Sequence, residues 1–331
     1  MFRIDYSYMD YERLMHDVAE RIQARVHNNQ LIFPPEIATG HYSFIQLPNG
    51  LQANILNCTF HQDWLIRRRK APGEEFYTLR FDELTIRDSL VVTIDDEKLK
   101  EGNTTKSVAY LTSSFSDWSY FGSAGGTFKG IQVLFNKNWL ARYLDINTVE
   151  NVLSTYISLK AENINIEPLD SKYKQWMRTV METDEENPLR LAVIQNRIML
   201  MIERFFTHLY DKMHNPAFRI PLSSEDINRV MQVESILTKD IYQSPPSIQE
   251  LARMTAISES KLKKDFKTMY GFPIYEYYQK ARMQAAQDKL LTGKFSVKEV
   301  AMELGYANLS NFTIAFKKEF GVLPSQLLSS H

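Results

Sequence analysis

The sequence predicts an α+β chain with two dissimilar parts: short strands with flanking helices first, then an all-helical carboxy-terminal domain. Three observations carry this. Short runs rich in β-branched and aromatic residues, punctuated by Gly and Pro, fill positions 40–135. Helical periodicity takes over from about 138. The last hundred residues then contain one helical pattern twice, about fifty positions apart.

Taken in order, residues 9–27 predict an amphipathic helix, with Tyr11, Leu14, Met15, Val18, Ile22 and Val26 on one face, ended by Phe33-Pro34-Pro35. The better strand candidates are 55–65, 76–81, 90–94, 108–111 and 128–135, separated by turn signals at 48–50, 72–73 and 125–126. Several short strands at that spacing suggest a sandwich or a small barrel. Gly122-Ser-Ala-Gly-Gly126 lacks a following Gly-Lys-Ser/Thr, so it reads as a hairpin turn and not as a phosphate cradle. Trp64, Trp118, Tyr120 and Phe121 either fill the interior or line a pocket.

Residues 138–213 read as helical. Ser171 is placed to cap a helix carrying Tyr173, Trp176, Met177, Val180 and Met181. Asn187-Pro188 opens another, whose Leu191, Ile194, Ile198, Ile202, Phe205 and Leu209 form a stripe with Val193, Leu200, Met201 and Phe206 beside it. A helix apolar over so much of its circumference needs cover on several sides, from its own chain or from a second copy. Residues 215–221 read as a linker, and a new helix starts at Ser223 or Ser224 with Glu225 and Asp226 in its first turn. The domain division expected is 1–137, 138–220 and 221–331.

The repeated pattern pairs Leu251-Ala252 with Val300-Ala301, Leu262 and Phe266 with Phe312 and Phe316, and Lys267, Tyr270, Gly271 with Lys317, Phe320, Gly321. The copies are offset by 49 positions before the turn and by 50 after it, so the second turn holds one extra residue and includes Gly305. Two short helices joined by a tight turn form the helix-turn-helix unit, whose second helix fits the major groove of DNA. The units span about 248–270 and 297–320. With the Leu and Phe anchors inward, the 3.6-residue period turns Ser260, Lys263, Lys264 and Lys267 outward in the first copy, and Ser310, Thr313, Ile314 and Lys317 in the second. Ser258 and Asn308 are placed to cap the second helices. A helix over 273–291, about 27 Å long, separates the copies.

Charge neither demands nor excludes nucleic acid. The net is −1 over 331 residues, and 221–331 hold 14 Lys/Arg against 12 Asp/Glu. Cys58 is the only cysteine, which excludes an intrachain disulfide, and no apolar stretch approaches a membrane span. A cytoplasmic protein is expected. Seven scattered histidines without a His-x-His pair leave no metal or other cofactor to expect and no catalytic residues to name.

Residues 224–328 resemble the DNA-binding domain of the AraC/XylS family of bacterial transcription regulators, over roughly a third of the chain. The matching pattern includes Leu251-Ala252, Ser258, Leu262, Phe266-Lys267, Gly271, Arg282, Ala286, Leu290-Leu291, Glu299-Val300-Ala301, Gly305-Tyr306, Ser310-Asn311-Phe312, Phe316-Lys317-Lys318, Gly321 and Pro324. The chain departs from it at Ile314 (often Arg or Lys), Leu309 (commonly polar) and Asp265 (usually apolar). The resemblance implies a cupin-like amino-terminal sensor barrel, helices that form a homodimer, and transcriptional activation through contact with RNA polymerase, with a small-molecule effector left unidentified. It implies double-stranded DNA as the partner. Ser260, Lys263, Ser310 and Thr313 are expected to read bases, with Asn308, Leu309, Asn311 and Ile314 on the same surface, and Lys261, Lys264, Lys267, Lys317 and Lys318 to meet phosphates. The competing expectation is a metal-dependent small-barrel enzyme with a DNA-targeting domain.

Overall fold

The computed structural model describes residues 1–71, 73, 75–85, 90–94, 97–98, 106–143, 167–214, 222 and 224–328. The chain divides into two compact units, residues 1–219 and 220–331. The linker expected at 215–221 and part of the helical stretch from 138 lie outside the described residues.

The first unit holds two sheets, with strands numbered in chain order. One has the order β1 (Phe2–Tyr6), β6 (Trp64–Arg68), β11 (Trp118–Gly122), β8 (Leu90–Ile94), β9 (Glu97–Lys98). The other runs β13 (Glu167–Pro168), β10 (Lys106–Ser113), β7 (Phe76–Thr85), β12 (Thr127–Asn136), β5 (Gln52–Phe60), β4 (Ala38–Gln46), β3 (Gln30–Ile32), β2 (Val26–His27). All pairings are antiparallel except β1 with β6.

Neither sheet closes on itself among the described residues, which corrects the expected cupin-like barrel to two open sheets. Closure depends on edge strands pairing at a fixed stagger, and the alternation within one strand does not encode that. The edges β2 and β13 are two residues long. Two further expectations are corrected, and one strand was not expected. The run 55–65 is the end of β5, a turn and the start of β6. The amino terminus is a strand, missed because its pairing with β6 is sixty residues distant. Gly125, at φ +78, connects β11 to β12 in the opposite sheet and forms no hairpin.

The sheets meet through an aromatic layer. The Trp64 ring stacks on Phe60 at 4.7 Å and lies 5.8 Å from Phe128 and 6.5 Å from Tyr120. Gly122 is required beneath it, because a Cβ there would fall 2.6 Å from the indole. On its other face the eight-stranded sheet presents Leu79, Phe81, Ile131 and Val133 to α3 (Ser171–Glu182) and α4 (Arg190–His214). Asp170, and not Ser171, caps α3, accepting from the amides of Lys172 and Tyr173. Along α4, Ile194, Ile198, Met201, Ile202, Phe205, Phe206 and Leu209 are buried within this chain, so its own sheet supplies most of the cover the helix needs. Two shorter helices are also among the described residues of this unit: α1 (Tyr11–Arg21), capped by Asp10, and α2 (Lys137–Leu140), capped by Asn136. The helix expected over 9–27 stops at Arg21, where Gln23 turns to φ +54.

Because β7 and β12 are covered on both faces, their alternate residues face the first sheet and include charge. Fully buried Asp82 accepts from Arg80 Nε (2.9 Å), Gln132 Nε2 (2.9 Å), Tyr120 Oη (2.9 Å) and Tyr110 Oη (3.2 Å). The Arg80 guanidinium lies 3.7 Å from the Trp118 ring centroid. Burial alone would push Arg80 toward neutrality; the Asp82 carboxylate together with Tyr110, Tyr120 and Tyr11 outweighs it and holds the guanidinium charged. Asp82→Ala is expected to cost about 3–5 kcal/mol, since it strands a buried cation. Urea denaturation should show the Arg80→Met/Asp82→Leu double variant losing less than Asp82→Ala alone; an equal or larger loss would contradict the charge argument.

Candidate nucleic-acid interface

The second unit is all-helical: α5 (Ser224–Lys239), α6 (Ile248–Thr255), α7 (Glu259–Tyr270), α8 (Ile274–Leu291), α9 (Val297–Glu303), α10 (Leu309–Phe320) and α11 (Pro324–Leu328). Both copies of the repeat use the same local chemistry. Ser247 and Glu250 form a capping box on α6, and Ser296 and Glu299 form its counterpart on α9. The turns each pass through a left-handed residue, Ala256 at φ +53 in the first and Gly305 at φ +71 in the second. Ser258 caps α7 by accepting from Lys261 N, and Asn308 caps α10 by accepting from Ser310 N. Gly271 and Gly321 end the helices at φ +78 and φ +75.

Two small cores hold the copies. Leu262 and Phe266 pack with Val230, Leu251, Tyr270 and Tyr277 in the first, the Phe266 and Tyr277 rings meeting edge-on at 5.4 Å. Phe312 and Phe316 pack with Val300, Leu304, Met283 and Leu290 in the second. Helix α8 serves both, with Ile274, Tyr277 and Tyr278 in one core and Met283, Ala286 and Leu290 in the other. Arg282 sits at the crossing. Its guanidinium donates to the Leu304 carbonyl and lies over the rings of Tyr278 (5.5 Å) and Tyr306 (5.1 Å). Lys280 pairs with Glu319 at 2.8 Å, and Lys289 pairs with Glu303.

With the anchors fixed inward, Ser260, Lys261, Lys263, Lys264 and Lys267 of α7 are exposed, as are Asn308 and, on α10, Leu309, Ser310, Asn311, Ile314, Lys317 and Lys318, while Thr313 is half-buried. Their electrostatic situations differ. Lys261 lies between Asp226 Oδ2 (2.9 Å) and Asp265 Oδ2 (2.6 Å), and hydrogen bonding to Asp226, then to Asp265, raises its pKa. That pairing accounts for the buried acid at 265 and ties the exposed Lys261, expected at a phosphate, to two carboxylates of its own unit. Lys263 is 4.0 Å from Glu259. Lys264, Lys267, Lys317 and Lys318 make no ion pair among the described residues. Asn308 uses its Oδ1 in capping, and Thr313 returns its hydroxyl to the Leu309 carbonyl at 2.9 Å. Sequence reasoning missed the left-handed Ala256, whose only signal is its place opposite Gly305. It also missed Lys298 and Met302, which with Tyr306 and Leu309 line an open cleft beside α10.

The first unit contains a separate cavity of about 40 Å³, lined in part by Phe2, Tyr42, Asn54, Arg80, Trp118 and Gln132. The buried Asn54 Oδ1 has no hydrogen-bond partner among the described residues. Among those residues no group of three His, Cys, Asp or Glu is placed to hold a metal ion. His61 instead bonds Thr39 Oγ1 and the Pro35 carbonyl.

Residues 251–330 match the family described as "Helix-turn-helix domain". The virulence regulon transcriptional activator VirF of Yersinia enterocolitica is 33% identical over 79 residues, 24% of this chain and 29% of that protein. The transcriptional activator RhaR of Salmonella typhi is 28% identical over 82 residues, 25% of this chain and 29% of that protein. The chain thus spans under a third of the length of these relatives. A probable AraC family transcriptional regulator from Rhodopseudomonas palustris, of known structure, is 28% identical with a TM-score of 0.29, covering 31% of this chain and 96% of that one.

Two measurements test the local chemistry. Gly305→Ala is expected to cost about 1 kcal/mol and Ala256→Gly to gain a comparable amount in urea denaturation, since space around Gly305 is open and only the backbone angle differs. Glu250 and Glu299 have lowered pKa values because they accept hydrogen bonds from Ser247 and Ser296. Their contribution is present above the unfolded carboxylate pKa and disappears as pH falls through the lower folded value. Glu250→Gln/Glu299→Gln should therefore flatten the acid limb of the melting temperature against pH.

Proposed function

We propose that the protein is a sequence-specific transcription regulator that binds double-stranded DNA, proceeding from the AraC-family helix-turn-helix domain at its carboxy terminus. The observation that carries this reading is the pair of second helices, each anchored by two buried apolar residues and each turning exposed polar side chains and unpaired lysines outward. Ser260, Lys263, Lys264, Ser310, Asn311 and Thr313 face base edges, while Lys267, Lys317 and Lys318 meet phosphates. Lys261 is left out of the phosphate set because two carboxylates already hold it.

The finer reading is an activator acting near a promoter, in the cytoplasm, through contact with RNA polymerase. Activation is what the names of VirF and RhaR state for those proteins. No described helix is long and apolar enough to cross a membrane, which fits that compartment. A homodimer is supported by Leu191 and Tyr210 on α4, which remain 44% and 47% exposed. A small-molecule effector is part of the same reading; the cavity beside Arg80 holds only about 40 Å³ and would have to enlarge to admit one. Nothing in the site favours the metal-dependent enzyme.

Replacing Lys267 and Lys317 by Ala is expected to weaken binding to selected and unrelated duplexes alike. The slope of log K against log salt should fall in magnitude by about two. Fluorescence anisotropy across a salt series measures it, and an unchanged slope would rule out their contact with the backbone.

A further inference from the structure

The two outward helices present opposite chemistry at equivalent positions. A rotation of 100° per residue sets Ile314 opposite the midpoint of Phe312 and Phe316, at the apex of the face α10 turns outward. The same phase on α7 belongs to Lys264, opposite Leu262 and Phe266. Ile314 is 66% exposed and Leu309, at the start of the same helix, is 44% exposed. Thr313 between them has its hydroxyl bonded to the Leu309 carbonyl, so its proton is not offered outward. Lys317 and Lys318, one turn further on, are exposed cations, so charge beside this apolar apex is complementary to a phosphate backbone.

Resting on the reading that this domain binds duplex DNA, we infer that α10 recognises thymine through its C5-methyl group, with Ile314 as the central specificity-determining side chain and Leu309 flanking it. The major-groove edge carries one methyl group, that of thymine; apart from the small C5–H of cytosine, the other features there are hydrogen-bond donors or acceptors. An isoleucine pressed against a guanine N7 or a cytosine amino group removes water from it and returns no hydrogen bond, which penalises those bases. Against a methyl it buries apolar surface on both sides. Lys264 at the matching phase of α7 brings an ammonium donor to guanine acceptors, so the two half-sites are read by different forces.

The test uses the full-length protein and a duplex selected from a random pool. Each thymine is replaced in turn by 2′-deoxyuridine, which removes the methyl and preserves the pairing. Loss of one buried methyl corresponds to about a fourfold rise in Kd. That rise is expected at one or two thymines of one half-site, with no change at thymines of the other. Ile314→Ala should lose most of the discrimination between thymine and uracil duplexes, and Leu309→Ala should lose a smaller part; circular dichroism melting checks that these exposed replacements leave the fold intact. Equal binding of uracil and thymine duplexes by the wild type would overturn the inference, as would an undiminished uracil penalty in Ile314→Ala. A pool from which no sequence is enriched would overturn the underlying claim of sequence-specific binding, a separate and distinguishable result.

Discussion

One constraint governs the carboxy-terminal unit: each outward helix is fixed in rotation by a pair of buried apolar residues four positions apart. Leu262 with Phe266, and Phe312 with Phe316, are each completely buried. Turning either helix by one residue would expose an aromatic ring and bury a lysine or an asparagine, and the cost of that exchange sets the helix phase. Every statement about which side chains face solvent follows from it. The left-handed residue in each turn and the Ser258 and Asn308 caps determine where each second helix begins.

The linkage between the copies is physical as well as sequential. Helix α8 contributes Tyr277 to one core and Ala286 to the other, so it is a structural member of both. Arg282 bridges the crossing by bonding the carbonyl that ends α9 and covering two tyrosine rings. A connector held this way limits the independent motion of the two units, since displacing either one exposes part of its core. Polar residues on α8 add the ion pair from Lys280 to Glu319, which is partly exposed and contributes little by itself.

Charge in the first unit follows a different logic. Asp82 sits in a layer where four donors converge on it, and Arg80 is held over an indole face. A buried pair of this kind is a weak source of net stability, but it fixes the arrangement of β7, β10, β11 and β12 by penalising any register that leaves a charge alone. The buried Asn54 Oδ1, without a hydrogen-bond partner among the described residues, lies in the cavity that Arg80 also lines.

The sequence alone determined the duplicated helical frame, its caps, its anchors and the outward set, because these depend on interactions within about four residues and on a 3.6-residue period. It located much of β7, β8, β10 and β12 for the same local reason. Tertiary structure decided what depends on distant partners. Phe2–Tyr6 is a strand only because Trp64–Arg68 lies beside it. The expected hairpin at Gly125 became a crossing between sheets, and the expected barrel became two open sheets, because pairing and closure are properties of several strands together. Lys261 reads as a free cation in one dimension; folding brings Asp226, thirty-five positions earlier, to within 2.9 Å and ties it to that carboxylate.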